Sequence, residues 1–163
     1  MYKSICLLFI IIFLPSCEKE IKSFKPTTKL ENIMKNVELK NTLWDLRVEN
    51  TCLTREIEKD ESFKTFLKKT NDKDLISLTE CEIPLIRCFA FKALVEKEYP
   101  GIREILLRHI NDNEIVKLKN YDIELSLTVK SYMLEQLNPF SKTKNRFNKT
   151  EYIKIQDSFY KTE

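Results

Sequence analysis

The sequence predicts a mainly α-helical protein. The chain of 163 residues contains a single glycine, Gly101, and 33% of its residues are charged, mostly lysine and glutamate. Lysine and glutamate favour helices, whereas sheets joined by tight hairpins usually place glycine in turns that need a positive φ. Apolar residues also recur at helical spacing along much of the chain after residue 28. We therefore expect one helical domain.

The first seventeen residues have the layout of an export signal. Lys3 precedes an apolar run from Ile5 to Leu14, and the run leads into Leu14-Pro15-Ser16-Cys17. About ten apolar residues are too few to cross a bilayer core of roughly 30 Å. Residues 1–16 are therefore expected to be a signal peptide. An uncleaved anchor helix, or a signal peptide cut at another position with Cys17 incidental, stays open as an alternative.

The end of this segment resembles the lipobox of bacterial lipoproteins, in which a signal peptidase cuts before the cysteine and the new terminal cysteine is acylated. The resemblance implies that Cys17 is the mature amino terminus and anchors the protein to a membrane of the cell envelope. Two or more acyl chains hold a protein on a bilayer without a transmembrane helix. The acidic stretch Glu18-Lys19-Glu20 resembles a surface-export signal of some Gram-negative lineages and implies the outer membrane, with the body facing the periplasm or the cell surface.

Residues 17–27 lack an apolar period and are expected to be a lipidated tether, followed by a helical domain over residues 28–137. Thr28 and Glu31 form a capping-box pattern that predicts a first helix from Thr28. A second helix is expected over Thr54–Lys69, and Asn71 or Asp72 would cap a third. The apolar positions of these segments are Leu30, Ile33, Met34, Val37, Leu43, Trp44, Leu46, Phe63, Phe66, Leu67, Leu75, Ile76 and Leu78.

Residues 84–112 predict two amphipathic helices joined by a turn at Tyr99-Pro100-Gly101. Pro84 stands where a first-turn proline is tolerated. The first helix carries a proline, an arginine, small residues and aliphatic residues at Pro84, Ile86, Arg87, Ala90, Ala93 and Leu94. The second helix and the residues after it carry Leu106, Leu107, Ile110 and Asp112. At these positions the segment resembles a HEAT repeat, and it is similar to uncharacterised exported bacterial proteins with the same Arg-Cys-Phe-Ala-Phe pattern.

The HEAT resemblance implies a short right-handed α-α superhelix of helical hairpins. In such an array small alanines permit close helix approach, and aliphatic residues fill the seam between stacked pairs. The resemblance also implies structural roles for Pro84, Arg87, Ala90, Ala93, Leu94 and Asp112. In the repeat the arginine reaches acidic or carbonyl groups of the adjacent turn, which makes Glu80 or Glu82 the expected partner of Arg87.

Alternating apolar and polar residues on either side of Asn120-Tyr121-Asp122 predict a small β-hairpin near residues 115–127, with a helical alternative left open. A short helix should follow from Thr128, with Val129, Tyr132, Met133 and Leu137 facing inward. Residues 138–163 are expected to be a basic linker, either solvated or in contact with anionic lipid headgroups, and a C-terminal helix. Asn148 and Glu151 would cap that helix, which either docks on the body or forms a partner-binding tail.

Few residues carry chemistry. His109, the lone histidine, falls at the flank of an apolar stripe, where it is either packed and hydrogen-bonded or a base. Cys52, Cys81 and Cys88 remain in the mature chain, and Cys81 and Cys88 either form a disulfide across the Pro84 turn or stay buried thiols. A nucleophile formed by Cys81 or Cys88 with His109 is the enzymatic alternative, although no orienting group is visible.

The sequence contains no motif typical of a metal, phosphate or nucleic-acid site. No paired CxxC or HxxxH spacing suggests a metal, no glycine-rich loop suggests a phosphate, and no basic stripe with aromatics suggests nucleic acid. We therefore expect no catalytic residue, metal or cofactor and no nucleic-acid partner. The membrane, through acyl chains on Cys17, and an unidentified protein are the expected partners.

Two function hypotheses follow, besides the Cys–His enzyme. The first is a membrane-anchored lipoprotein that acts as a non-catalytic protein-interaction module. The second is an envelope-structural or immunity-type protective lipoprotein that acts by occupancy. A contiguous exposed apolar or charged groove would favour the first, and a convex, uniformly solvated surface would favour the second. Burial of all three mature thiols would eliminate the enzyme.

Overall fold

The computed structural model describes residues 23–33, 35–36, 39–41, 43, 46, 53–54 and 56–160. The expected signal peptide, Cys17 and most of the expected tether lie outside these residues, as do Met34, Val37, Trp44 and Cys52. Within the described residues the protein is mainly helical and carries a small sheet. The predicted fold class is confirmed at this level.

The helices are α1 (Leu30–Ile33), α2 (Glu61–Lys69), α3 (Asp72–Thr79), α4 (Pro84–Glu96), α5 (Ile102–Arg108), α6 (Val129–Gln136) and α7 (Lys149–Tyr160). The strands are β1 (Leu53–Thr54), β2 (Ile115–Asn120) and β3 (Ile123–Thr128), and a 3₁₀ turn spans Ile57–Lys59. Leu39, Leu43 and Leu46 are also helical and buried. Asn71 caps α3 by accepting the Asp74 N–H, as one of the two expected caps.

Two predicted helix starts were wrong. The first helix begins at Leu30, because the backbone of Thr28 pairs with residues 80–82 and the Leu30 N–H is accepted by Glu82 Oε1 at 3.0 Å. The predicted second helix begins at Glu61 rather than Thr54. Leu53–Thr54 is a strand, and the Asp60 side chain caps α2 by accepting the Ser62 N–H.

The strand order is β1-β2-β3. The β2–β3 hairpin is antiparallel and pairs without interruption from Ile115↔Thr128 to Asn120↔Ile123, which confirms the predicted hairpin over its helical alternative. The sequence did not predict the third strand of the sheet, β1. It pairs in parallel with β2, and Leu53, opposite Leu118, is fully buried.

Helix α4 is the centre of the core. Its buried side chains include Ala90, Ala93 and Leu94, and it packs against α3 and α6. A helix with apolar residues on every side is stable only when it is covered on every side. Ala90 and Ala93 are fully buried in this helix, where their small side chains leave room for the neighbouring helices.

The turn between α4 and α5 differs in detail from the prediction. Glu98, with φ 54°, takes the left-handed position, and the Tyr99 N–H returns to the Leu94 carbonyl in a Schellman motif. Gly101 has an ordinary φ of −85°. Its role is steric, since a Cβ at this position would lie 2.8 Å from the Tyr99 ring.

The segment after α6 is held against the body. Arg103 donates to the Arg146 carbonyl at 2.8 Å, Asn145 donates to the Tyr99 carbonyl at 3.0 Å, and Phe147 is buried. The predicted basic side chains Lys142, Lys144, Arg146 and Lys149 are exposed, as expected. The linker therefore combines solvated charges with a docked backbone.

Helix α7 docks on the body, as the sequence favoured. Asn148 and Glu151 form the predicted reciprocal cap, with bonds of 2.9 and 3.1 Å. Phe159 is fully buried, and its carbonyl accepts a hydrogen bond of 3.0 Å from the buried Lys130 ammonium. The Phe159 side chain and the Lys130 ammonium therefore hold the carboxyl end of α7 on the body.

We predict that Phe159→Ala lowers the free energy of unfolding by about 3–5 kcal/mol, because truncation of a buried aromatic side chain loses its burial and leaves a cavity. Urea denaturation measures the change. Ile153→Ala is the matched control on the same helix, since Ile153 is 46% exposed, and it should change stability by no more than about 0.5 kcal/mol. Equal effects of the two variants would contradict the docking of α7.

Candidate functional site

The most tightly bonded polar cluster surrounds Arg87, which is fully buried. Its Nε and Nη2 donate to the two carboxylate oxygens of Asp112, each at 2.9 Å, and Nη1 donates to the Cys81 carbonyl at 2.8 Å. Such a bidentate pair is strong and geometrically specific. Glu114 adds a weaker contact, with its Oε2 3.5 Å from Nη2. The guanidinium is thus held from three sides.

The predicted acidic partner of Arg87 was wrong. Glu82 caps α1, and Glu80 lies near Arg108, whose Nε is 3.6 Å from Glu80 Oε1. Asp112 takes the role instead, because the chain leaving α5 brings it beside the first turns of α4. The expected carbonyl contact with the adjacent turn is confirmed by Cys81. The structural role that the sequence assigned to both Arg87 and Asp112 is consistent with this bond.

His109 extends the cluster. It is fully buried rather than at the flank of the stripe, and its Nδ1 lies 3.0 Å from Asp112 Oδ2. A carboxylate only accepts, so Nδ1 carries the proton. Nε2 is buried with no hydrogen-bond partner and lies 4.0 Å from Glu80 Oε1. These contacts match the packed, hydrogen-bonded interpretation of this histidine.

Residues 23–28, the N-terminal strap, cover this cluster. The Phe24 ring lies 4.3 Å from the His109 ring and 5.0 Å from the Arg87 guanidinium carbon. The backbone N–H of Phe24 donates to the Asn111 carbonyl, and those of Thr27 and Thr28 donate to the Glu80 carbonyl. The carboxyl end of the expected tether is therefore part of the folded body. This docking was not predicted, because residues 18–29 are mostly polar and show no apolar period.

The thiols of Cys81 and Cys88 are both free and buried, so the predicted alternative of a disulfide between them was wrong. Burial raises the pKa of the Cys81 thiol and raises that of Cys88 well above its ordinary value, although the nearby Arg87 opposes both changes. A protonated buried thiol is a poor nucleophile. These two cysteines therefore give no support to Cys–His catalysis.

A groove lies beneath the β-hairpin, between its inner face and helices α6 and α7. The pleat places Val116, Leu118, Ile123, Leu125 and Leu127 on the inner face and leaves Lys117, Lys119, Glu124 and Ser126 on the outer face. The groove encloses about 370 Å³, and its lining includes Leu118, Leu125, Leu127, Tyr132, Leu134, Tyr152, Gln156 and Tyr160. The lining also includes the polar residues Thr54, Lys92, Asn120, Ser131, Glu135 and Gln136.

The body covers only part of this apolar face. Leu125 is 42% exposed and Ile123, near the hairpin tip, is 61% exposed. The floor carries two neutral phenols. Burial raises the pKa of Tyr132 well above its ordinary value, and burial together with the Glu135 carboxylate raises the pKa of Tyr152 to about 12. The groove thus combines accessible leucine side chains with phenols that stay protonated at neutral pH.

A second, acidic cavity of about 500 Å³ adjoins the groove, and both are lined by Lys92, Glu135 and Gln136. Glu58, Glu96 and Glu98 also line it, together with Phe140, which is 94% exposed. Lys92 compensates part of this charge, with its Nζ 2.9 Å from Glu96 and 3.6 Å from Glu58. The surface therefore changes from apolar to acidic along one continuous depression.

The predicted site residues separate into two places. Arg87 and Asp112 meet in the buried cluster, and Pro84 begins the same helix one turn earlier. Ala90, Ala93 and Leu94 belong to the core, and Cys17 lies outside the described residues. None of the predicted site residues that the structure describes lines the groove. The alternation around residue 123 was the only signal for it, and alternation does not reveal how far the body extends under the hairpin.

Comparison with models of protein families, with curated proteins and with solved structures gives no match to this chain. Within the described part of the chain, no three or more histidine, cysteine or acidic side chains converge as metal ligands. No described helix combines the length and the hydropathy needed to cross a membrane.

We predict that Arg87→Ala lowers the free energy of unfolding by about 3–5 kcal/mol, because Asp112 would remain as a buried carboxylate without its cation. Thermal and urea unfolding measure the loss. Lys144→Ala removes the exposed ion pair with Glu98, whose atoms are 2.6 Å apart, and should cost less than about 1 kcal/mol. An Arg87→Ala protein that unfolds like the wild type would refute a structural role for the buried pair.

Proposed function

We propose that the protein is a membrane-anchored lipoprotein of the cell envelope that acts as a non-catalytic protein-interaction module. The groove beneath the hairpin carries the proposal, because it is concave and combines accessible leucine side chains with three tyrosines, a residue type that is enriched in protein–protein interfaces. The lipobox-like end at Cys17 supports the anchor. The uniformly solvated surface expected of a protein that acts only by occupancy does not match this groove, which favours the interaction module over the immunity-type alternative.

The HEAT-like architecture is part of the proposal. Helices α2 and α3 would form one helical pair and α4 and α5 the next, with the sheet covering the end of the short array. The contact between α3 and α4, the small residues of α4 and the turn at residues 97–101 support this arrangement. Stacked helical pairs create binding surfaces and place few reactive groups on them.

The strap limits how far the proposed anchor can lie from the body. Five residues, 18–22, lie between Cys17 and Ser23, and an extended chain spans at most about 3.6 Å per residue over these six steps, so the acylated cysteine would lie within roughly 22 Å of the strap. The strap binds Asn111, close to the base of the hairpin. The proposed anchor would therefore hold the described body close to the membrane.

The expected partner segment is apolar with adjacent positive charge. Leucine side chains of the groove would contact its apolar part, and Glu96, Glu98 and Glu135 of the acidic cavity would face its basic part. The chemistry is that of protein recognition. Neither cavity supplies the converging nucleophile, base and oxyanion donors that acyl transfer needs.

The anchor is tested by Cys17→Ser. We expect the wild-type chain in the membrane fraction with acyl mass on Cys17, and the Cys17→Ser chain without that mass and in the soluble fraction. Immunoblotting of fractions and mass spectrometry of the natural amino terminus make the measurement. Retention of the variant at the membrane, or an unmodified Cys17 in the wild type, would contradict the lipoprotein proposal.

The groove is tested by a photoreactive benzophenone side chain placed at Gln156, which lines it. The neighbouring Asp157, which is exposed and not part of the lining, is the matched control. In intact cells we expect a discrete adduct with another protein from position 156 and at least a severalfold weaker one from position 157. Equal adducts from both positions, or none from position 156, would contradict the interaction module.

A further inference from the structure

The outer edge of β3 is open. β2 pairs with β3 on one side, and within the described residues no other strand or backbone group pairs with it. Every residue of β3 is exposed or partly exposed. A free edge of this kind is a template for another strand, because its backbone donors and acceptors are satisfied only by water.

The usual protection of an open edge is missing from β3. The strand contains no proline, glycine or lysine, and its pairing with β2 has no bulge. Its single charge, Glu124, lies on the outer face and pairs with Lys117 at 2.7 Å. Ile123 and Leu125 are meanwhile exposed at 61% and 42% on the inner face. Both the backbone and the apolar side chains of β3 are therefore available to pair with another strand.

We propose that β3 pairs with β3 of a second copy of this chain, antiparallel, about a twofold axis at Leu125. The two hairpins then form one continuous sheet, and the axis is perpendicular to that sheet. This symmetry places the inner faces of both copies on the same side, so that the two grooves adjoin. The interface is isologous, with the same residues contributed by each chain.

The chemistry of β3 selects this register. With Leu125 opposite Leu125, Ile123 faces Leu127 and Glu124 faces Ser126, so that every apolar side chain has an apolar partner. Centring on Glu124 would place two carboxylates opposite each other, which is destabilising. Centring on Ser126 would place Ile123 opposite Val129, which belongs to α6. A strand that is self-complementary in this way fits its own copy better than an unrelated strand.

The dimer goes beyond the proposed function, since it depends neither on acylation nor on occupancy of the groove. Directly opposed residues of an antiparallel pair have Cα atoms about 4.5–5.5 Å apart, within the range of a disulfide, whereas diagonal neighbours lie at about 7–8 Å. Single cysteines therefore report both the pairing and its register. The full chain is expressed with Leu125→Cys, Ser126→Cys or Tyr121→Cys, and unfractionated cell lysates are treated with a mild oxidant, so that the chain is tested whether or not it is bound to a membrane.

We expect Leu125→Cys to yield a disulfide-linked dimer, roughly tenfold more than Tyr121→Cys, since bond formation depends steeply on Cα separation. Tyr121 is the control because, at 84% exposed on the hairpin tip, it is more accessible than Leu125. The wild type measures the background from the natural cysteines. Equal yields of disulfide-linked dimer from Leu125→Cys and Tyr121→Cys would overturn the proposed dimer. A disulfide between Leu125→Cys and a different protein would also overturn it. Ser126→Cys exceeding Leu125→Cys would overturn the register.

A second pair of variants tests the edge without a cysteine. Leu125→Lys opposes two ammonium groups at the axis, whereas Leu125→Thr keeps a good strand former there. Light scattering of the purified full chain in detergent should give the mass of two copies for the wild type and Leu125→Thr, and of one copy for Leu125→Lys. The three chains should give the same circular dichroism spectrum, which shows that the monomer fold is kept. A wild type with the mass of one chain would overturn the proposal. The adduct from position 156 reports the groove separately, so failure of one proposal leaves the other distinguishable.

Discussion

The ion pair between Arg87 and Asp112 is the constraint on which the arrangement of the described elements depends. It joins the first turns of α4 to the chain that leaves α5. The backbone of the same loop also begins α6, since the Asp112 carbonyl accepts the Lys130 N–H and the Glu114 carbonyl accepts the Val129 N–H. Because β2 starts at Ile115, the position of Asp112 fixes where the hairpin leaves the body. A buried ion pair of this kind is better regarded as a specifier of geometry than as a large net source of stability.

The buried polar cluster around Arg87 and the apolar inner face of the hairpin differ in how accessible they are to a ligand. Arg87 and His109 both bond to Asp112, and Phe24 closes the cluster from outside. The cost of burying these groups is offset only while each keeps its partner, so little of their bonding capacity is left for a ligand. The apolar surface of the hairpin shows the reverse pattern, because its inner face extends farther than the helices beneath it. An accessible surface without reactive groups is suited to binding.

The sequence predicted the parts whose signals are local. Pro84 at the start of a helix, Asn148 and Glu151 as a cap, and the alternation on both sides of residues 120–122 depend on neighbours within a few positions, and all three are confirmed. The partner of Arg87, the strand at Leu53 and the docking of Phe24 join residues far apart in the chain. Composition and spacing carry no information on which distant acid or ring completes a contact. The groove was missed for the same reason, since its extent depends on where α6 and α7 lie relative to the hairpin.

The hairpin also explains how a short helical body can end. In the proposed HEAT-like arrangement, the end of the array would expose an apolar face unless a terminal unit covered it. Beyond Asp112 the chain forms strands β2 and β3, and their outer face carries Ile115, Lys117, Lys119 and Glu124. A sheet is wider than the helix it covers, because its strands lie about 4.8 Å apart in a plane. The part of its inner face that overhangs the helices therefore stays apolar and accessible, and the same geometry that terminates the body creates the groove and leaves β3 as its free edge.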